Sequence, residues 1–178
     1  ILHVIKNSLM IKKQYEGNGV KSIHTDADVV LAAMFHDLGK LGDGTQSYYK
    51  YQTDDWRRKK LNEWYTHNKE LDFMTVHDRA LWILAKYHVD VNPHVYKAII
   101  CADGLFDSAA ETYFRAYVDS RHCLGSIIHF GDWLSTICEK QNWLQGEEEY
   151  GEEHVVHKKS SDKEIKNMKK QFDELFAN

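Results

Sequence analysis

The chain has one proline, Pro93, and no long glycine or serine tract, so nothing in its composition separates it into tethered parts. Apolar runs are short. None approaches the roughly 18 consecutive residues that a membrane-spanning helix requires, and no charged start, apolar middle and small-residue cleavage site marks a secretory leader. Cysteine is scarce. Cys101, Cys123 and Cys138 show no paired spacing and lie in apolar stretches, so buried, reduced thiols in a cytosol-like compartment are expected, and with them a cytoplasmic location. Basic residues are outnumbered, 23 against 27 acidic for a net charge of −4, which argues against a broad basic face gripping long nucleic acid. No glycine-rich phosphate loop and no G-x-G-x-x-G is present, which excludes a kinase or a dinucleotide-dependent dehydrogenase.

What remains is a chain of 178 residues, the size of one domain and long enough to bury a real core. Apolar residues recur at helical spacing with few strand-like alternations, which predicts an all-α, compact single-domain bundle. Helices are expected near 2–15, 26–38, 55–66, 75–87, 93–102, 109–119, 122–140 and 161–176. Residues 1–145 form the expected main body. Residues 146–178 are expected as an acidic exposed loop, Gly146 to Glu153, and then an amphipathic helix. That helix carries Ile165, Met168, Phe172, Leu175 and Phe176 on one stripe and is expected to pack back on the same domain, a homodimer contact being the lesser option.

The most informative stretch is Phe35-His-Asp-Leu-Gly-Lys-Leu41. Thr25 with Asp28 fits a capping box that starts an apolar helix, and Gly39 stands where a helix-terminating glycine is expected. His36 and Asp37 then fall in the last helical turn, where the dipole favours a cation, and together they offer it one nitrogen and one oxygen. One pair does not hold a metal. His3, near the start of a helix carrying Leu2, Ile5, Leu9 and Met10, is one further candidate. Asp132 is the other: it lies amid isoleucine, phenylalanine, tryptophan and leucine, where a carboxylate is costly to bury unless it is paired or bound to a cation.

The order His3, His36-Asp37, Asp132, extended through Gly39-Lys40, resembles the HD superfamily of metal-dependent phosphohydrolases over about residues 1–138. The segments around His77 and around Ala102-Asp103-Gly104 are similar in layout to HD-bearing 3′-5′ exoribonucleases and, more distantly, to the HD-GYP phosphodiesterases. In binuclear members of that group both segments carry a histidine that serves a second metal. Here His77 fits the first place, but Ala102 occupies the second. Asp103 stands beside it as a substitute oxygen donor. The resemblance therefore implies one firmly held divalent transition metal ion, with a second weak or absent.

Two imidazoles and two carboxylates suit manganese, iron, zinc, cobalt or nickel. An ion with open positions polarises a phosphoryl oxygen and lowers the pKa of a bound water from about 15.7 toward about 7. The expected activity is hydrolysis of a phosphate mono- or diester. By family analogy the partner is a small phosphorylated substrate, a nucleotide or short oligonucleotide. Asp37 is expected as ligand and local base, and Lys40 either as a cation for a phosphate oxygen or as an exposed cation at the helix end.

Trp56-Arg57-Arg58-Lys59-Lys60, beside the aromatic run Tyr48-Tyr49-Lys50-Tyr51, has two readings. One is a solvated helix start; the other is a cleft wall with cations for phosphate and a ring for a base. His129, three residues before Asp132, shares its helical face and is either a partner of that ligand or a satisfied core histidine. His24, His67, His88, His94 and His122 are expected to be structural or exposed, as are His154 and His157. A di-iron oxygenase on the same fold and a non-catalytic nucleotide-binding module are the alternative functions.

Overall fold

A computed structural model describes residues 1–104, 108–116 and 124–150, the side chains of residues 109, 114–116 and 147–150 excepted. Cys123, His122, His154, His157 and the helix expected at 161–176 lie outside the described residues. Those described are mostly helical: α1 (Leu2–Gly17), α2 (Asp26–Phe35), α3 (Asp55–Leu61), α4 (Val76–Lys86), α5 (Pro93–Ile100), α6 (Ser108–Ala116) and α7 (Leu124–Tyr150). A 3₁₀ turn, Leu38–Leu41, follows α2, and strands β1 (Tyr49–Tyr51) and β2 (Tyr65–His67) flank α3. None of these helices is long and apolar enough to cross a membrane.

The core is built from small and β-branched side chains. Val29, Ala32 and Ala33 of α2 meet Val95, Ala98 and Ile99 of α5, with Ile5 of α1 and Ile127 and Ile128 of α7 closing around them. Alanines at facing positions let helix axes approach closely, and each buried aliphatic residue contributes about 1.5–3 kcal/mol of transfer free energy. α1 and α7 run antiparallel. Asn7 Nδ2 donates to Ser135 Oγ at 2.9 Å, and a side chain on Gly131 would collide with Ser8. The two backbones therefore pass at a distance only glycine permits.

Helix starts are chemically specified. The Thr25 hydroxyl accepts from Asp28 N, and the Asp28 carboxylate receives the Thr25 N–H, which completes the capping box. The other oxygen of Asp28 accepts from Asn92 Nδ2 at 2.6 Å. Asn92 in turn caps α5 by accepting from His94 N and Val95 N. One carboxylate thus caps its own helix and pins the start of a second. Burial opposes its charge, but the bonds from Thr25 and Asn92 prevail and hold Asp28 below the usual carboxylate range.

Several expectations are corrected. The helix expected at 55–66 stops at Leu61, because Asn62 takes left-handed angles (φ 55°, ψ 31°) and breaks the repeat. Tyr49–Tyr51 and Tyr65–His67 then pair as an antiparallel hairpin around α3, a short addition to described residues that are otherwise mostly helical, as expected. Short alternating aromatic stretches satisfy a strand as readily as a helix, and tertiary context decides between them. α2 ends at Phe35 rather than at residue 38. α7 continues to Tyr150, through residues expected in the acidic loop, since glutamate and glutamine are good helix formers and no proline intervenes. Cys101 is buried, and burial pushes its thiol up to about 11. Cys138, expected to be buried, is exposed on α7.

Lys12 was not singled out by its sequence. It is only 9% exposed, and its ammonium bonds to Asp26 at 2.6 Å and to Glu16 at 3.2 Å, tying α1 to the start of α2. Removing one partner of a shielded charge costs more than replacing the charge by an apolar side chain of similar shape. Asp26→Ala is therefore expected to lower unfolding free energy by about 1–2 kcal/mol in urea titrations, and Lys12→Met by less. Equal losses would show that the pair is an ordinary surface contact.

Candidate metal centre

The His36-Asp37 pair stands at the joint between α2 and the 3₁₀ turn, not inside the last helical turn. His36 keeps helical angles, whereas Asp37 (φ −104°, ψ 7°) begins the turn. Gly39 lies within that turn, and its role differs from the one expected. A side chain there would strike the backbone carbonyl of Val76, so its absence lets the turn rest on the first turn of α4. That contact sets Asp37 and Lys40 opposite His77, the second residue of α4.

His36 is 1% exposed. Its Nδ1–H donates to the Ala33 carbonyl at 2.8 Å; a carbonyl only accepts, so a proton sits on Nδ1, and Nε2, a lone pair when the ring is neutral, faces the cleft. Nε2 is buried with no hydrogen-bond partner. Two carboxylates stand near it, Asp132 Oδ1 at 3.4 Å and Asp37 Oδ2 at 3.7 Å. Asp132 comes from the middle of α7, so the three groups are assembled by packing across three elements.

Lys40 donates to Asp37 Oδ2 at 2.7 Å and is half-buried. Burial works against its charge, but Asp37, then Asp103 and Tyr49, raise it above the ordinary lysine value. Across the cleft, His77 Nε2 meets Asp103 Oδ2 at 3.3 Å. His77 holds the Asp103 carboxyl below its usual range against the opposing effect of burial, with help from Lys40 and His36. Asp132 is likewise lowered, by His36 first and then, past the cost of burial, by Lys40. His36 itself is pulled down by burial, yet Asp132 and Asp37 prevail and leave it raised.

Five of the six expected donors and Lys40 therefore act on one another in a single cleft. His3 is placed differently. Its Nδ1 pairs with Glu139 Oε1 at 2.7 Å on the protein surface. Glu139 stands seven residues beyond Asp132 on α7, two helical turns or about 10 Å along its axis. The Ser8–Gly131 and Asn7–Ser135 contacts set that register, which helical periodicity within α1 alone does not reveal.

His129 Nδ1 donates to the Ala102 carbonyl at 2.8 Å. Its ring fills the space left by Gly104, which adopts φ 62° and has no room for a side chain. The contact that fixes His129 is thus with the Ala102–Gly104 turn, which carries Asp103. Arg57 pairs with Glu63, and Arg58 with Asp55 and the Tyr51 hydroxyl, on α3. His67 lies on β2, exposed, and His24 is buried against His94 at 5.0 Å between ring centres.

Among the described residues no group of three or more His, Cys, Asp or Glu is gathered as a ready-made ion site. The donors around His36 are nonetheless spaced for one. Two donors bound at about 2.1 Å to a tetrahedral ion stand roughly 3.4 Å apart, close to both separations at Nε2. Asp37 Oδ2 is shared with Lys40, so an ion there competes with the ammonium for that oxygen. The chain matches no protein-family model, no curated protein and no solved structure with which it was compared.

Gly39→Ala is expected to cost about 1–3 kcal/mol, because backbone cannot yield to the added methyl. Gly17→Ala, which meets nothing within 4 Å at the end of α1, is expected to be neutral or to stabilise by up to about 1 kcal/mol. Thermal or urea unfolding of both variants distinguishes a tight contact at Gly39 from a simple loss of helix-end flexibility.

Proposed function

We propose that this chain is a metal-dependent phosphoester hydrolase of the HD type, a compact helical domain whose divalent ion is held by His36, Asp37 and Asp132. The observation that carries the proposal is the buried Nε2 of His36. It has its tautomer fixed by Ala33, no hydrogen-bond partner, and a carboxylate on either side at 3.4 and 3.7 Å. A buried ring nitrogen beside two anions calls for a cation between them, a proton on Nε2 or a metal ion in its place. The mixed nitrogen and oxygen set suits manganese, iron, zinc, cobalt or nickel.

When bound, such an ion supplies Lewis acidity toward a phosphoryl oxygen and acidifies water in its open positions. The protein's own groups do the rest. Asp37 is placed to accept a proton as well as to ligate. Lys40, 2.7 Å from Asp37, is the cation placed to meet a non-bridging phosphate oxygen and its developing charge. His3 belongs to this set only if it exchanges Glu139 for the ion, so the proposal rests on the other three donors. His77 and Asp103 offer two donors across the cleft, and the methyl of Ala102 adds none. This favours one tight ion over the pair that oxygen-activating chemistry needs.

The test joins metal analysis of the purified protein to a hydrolysis screen over nucleoside mono- and triphosphates, cyclic nucleotides and short RNA. Asp37→Ala is expected to lose the metal and at least about two orders of magnitude in rate. A variant that hydrolyses as fast as the parent overturns the mechanism. Lys40→Ala is expected to raise KM with metal content unchanged. If that change strips the metal, Lys40 is holding up the site and not meeting the substrate.

A further inference from the structure

The hairpin between the HD pair and α4 has a face of one chemical kind. Side chains alternate along a strand and directly paired residues share a face. The register pairs Tyr49 with His67, Lys50 with Thr66 and Tyr51 with Tyr65. One face therefore carries Tyr49, Tyr51, Tyr65 and His67, and the other carries Lys50 and Thr66. The rings pair two by two, Tyr49 and His67 tilted at 46° with centres 5.5 Å apart, Tyr51 and Tyr65 edge to face at 87° and 6.3 Å. They are not core: Tyr49, Tyr51 and Tyr65 are 42%, 49% and 50% exposed.

The two ends of this face differ. At one end Tyr49 and His67 pack on Tyr48 at 4.8 and 4.9 Å, and Arg79 of α4, the helix that carries His77, lies 5.0 Å over the Tyr48 ring, so the platform begins beside the candidate metal centre. At the other end Arg58 bonds to the Tyr51 hydroxyl and lies over its ring at 5.1 Å, which holds that ring upright. α3, which borders this face, carries Arg57, Arg58, Lys59 and Lys60 against Asp55, in a chain whose net charge is −4, while Lys50 lies on the other face and pairs with Glu70 at 2.7 Å. An exposed aromatic sheet face edged by a local positive excess matches a ligand with flat rings joined by anionic groups.

We infer that this face is a stacking platform for the bases of a short single-stranded oligonucleotide, running from the catalytic cleft toward α3. The inference rests on the proposed hydrolysis and narrows its substrate to a strand with bases beyond the scissile phosphate. Two ring pairs accommodate about two stacked bases. Tyr49 and His67 take the base nearest the cleft, and Tyr51 and Tyr65 take the next. Lys60 and the exposed Lys59 of α3 meet the phosphates, since Arg57 and Arg58 are engaged by Glu63 and Asp55. No base-reading hydrogen bonds are required, so sequence preference is slight.

Binding is read without turnover, so the test stands apart from the hydrolysis assay. Fluorescence anisotropy is measured in EDTA with a labelled hexa-adenylate, its abasic counterpart of the same charge, and a blunt duplex. The expected result is that hexa-adenylate binds at least about tenfold tighter than the abasic strand, as stacking contributes roughly that factor per base. The joint Tyr51→Ala and Tyr65→Ala change abolishes this preference, and the joint change to phenylalanine retains it. Equal binding of the hexa-adenylate and abasic strands overturns the proposal, and so does a base preference that survives the double alanine change. Tighter binding of the duplex overturns it as well. Platform binding without hydrolysis would leave this inference standing while the catalytic proposal fell.

Discussion

The 3₁₀ turn after α2 can rest on the first turn of α4 only because residue 39 carries no side chain. A methyl there would lie against the Val76 carbonyl, and backbone cannot swing aside as a side chain can. That single backbone contact orients Asp37 and Lys40 toward His77 and Asp103. It also leaves His36 looking out from the end of α2 toward Asp132. The electrostatics of the cleft follow from it: carboxylates lowered by histidine and lysine, and a lysine raised first by Asp37 and then by Asp103.

The cleft is expensive to fold. Three carboxylates and a half-buried ammonium are crowded together while a histidine nitrogen stays unpartnered in the interior. Such groups carry a desolvation cost that their mutual attraction only partly returns. The surrounding helices provide what offsets it: an aliphatic core, helix starts locked by Thr25, Asp28 and Asn92, and the Lys12–Asp26 tie between α1 and α2. The cleft and the exposed aromatic strand pair both depart from local rules, and such places are where function is to be sought.

The helical class, the starts of α2, α4 and α5 and the pairing of His36 with Asp37 were legible because each depends on residues close in sequence. Thr25 and Asp28, or Asn92 and Pro93, sit within one turn of each other. Asp132 stood out for a similar local reason, as a carboxylate on an apolar helix. The hairpin was not legible, since Tyr49–Tyr51 and Tyr65–His67 are too short for period to separate strand from helix, and only their pairing settles the matter. The purpose of Gly39 was hidden too: its place near a helix end pointed to chain reversal, while its neighbour across space, Val76, was out of view.

By itself the sequence determined which donors exist and on which helices they ride, because periodicity and capping act over a few residues. The tertiary structure decided which donors meet. It brought Asp132 to 3.4 Å from His36 and turned His77 onto Asp103. It set α1 against α7 through Ser8 and Gly131, so that His3 faces Glu139 instead. Registers between helices are fixed by interlocking side chains from distant parts of the chain, and no local pattern encodes them.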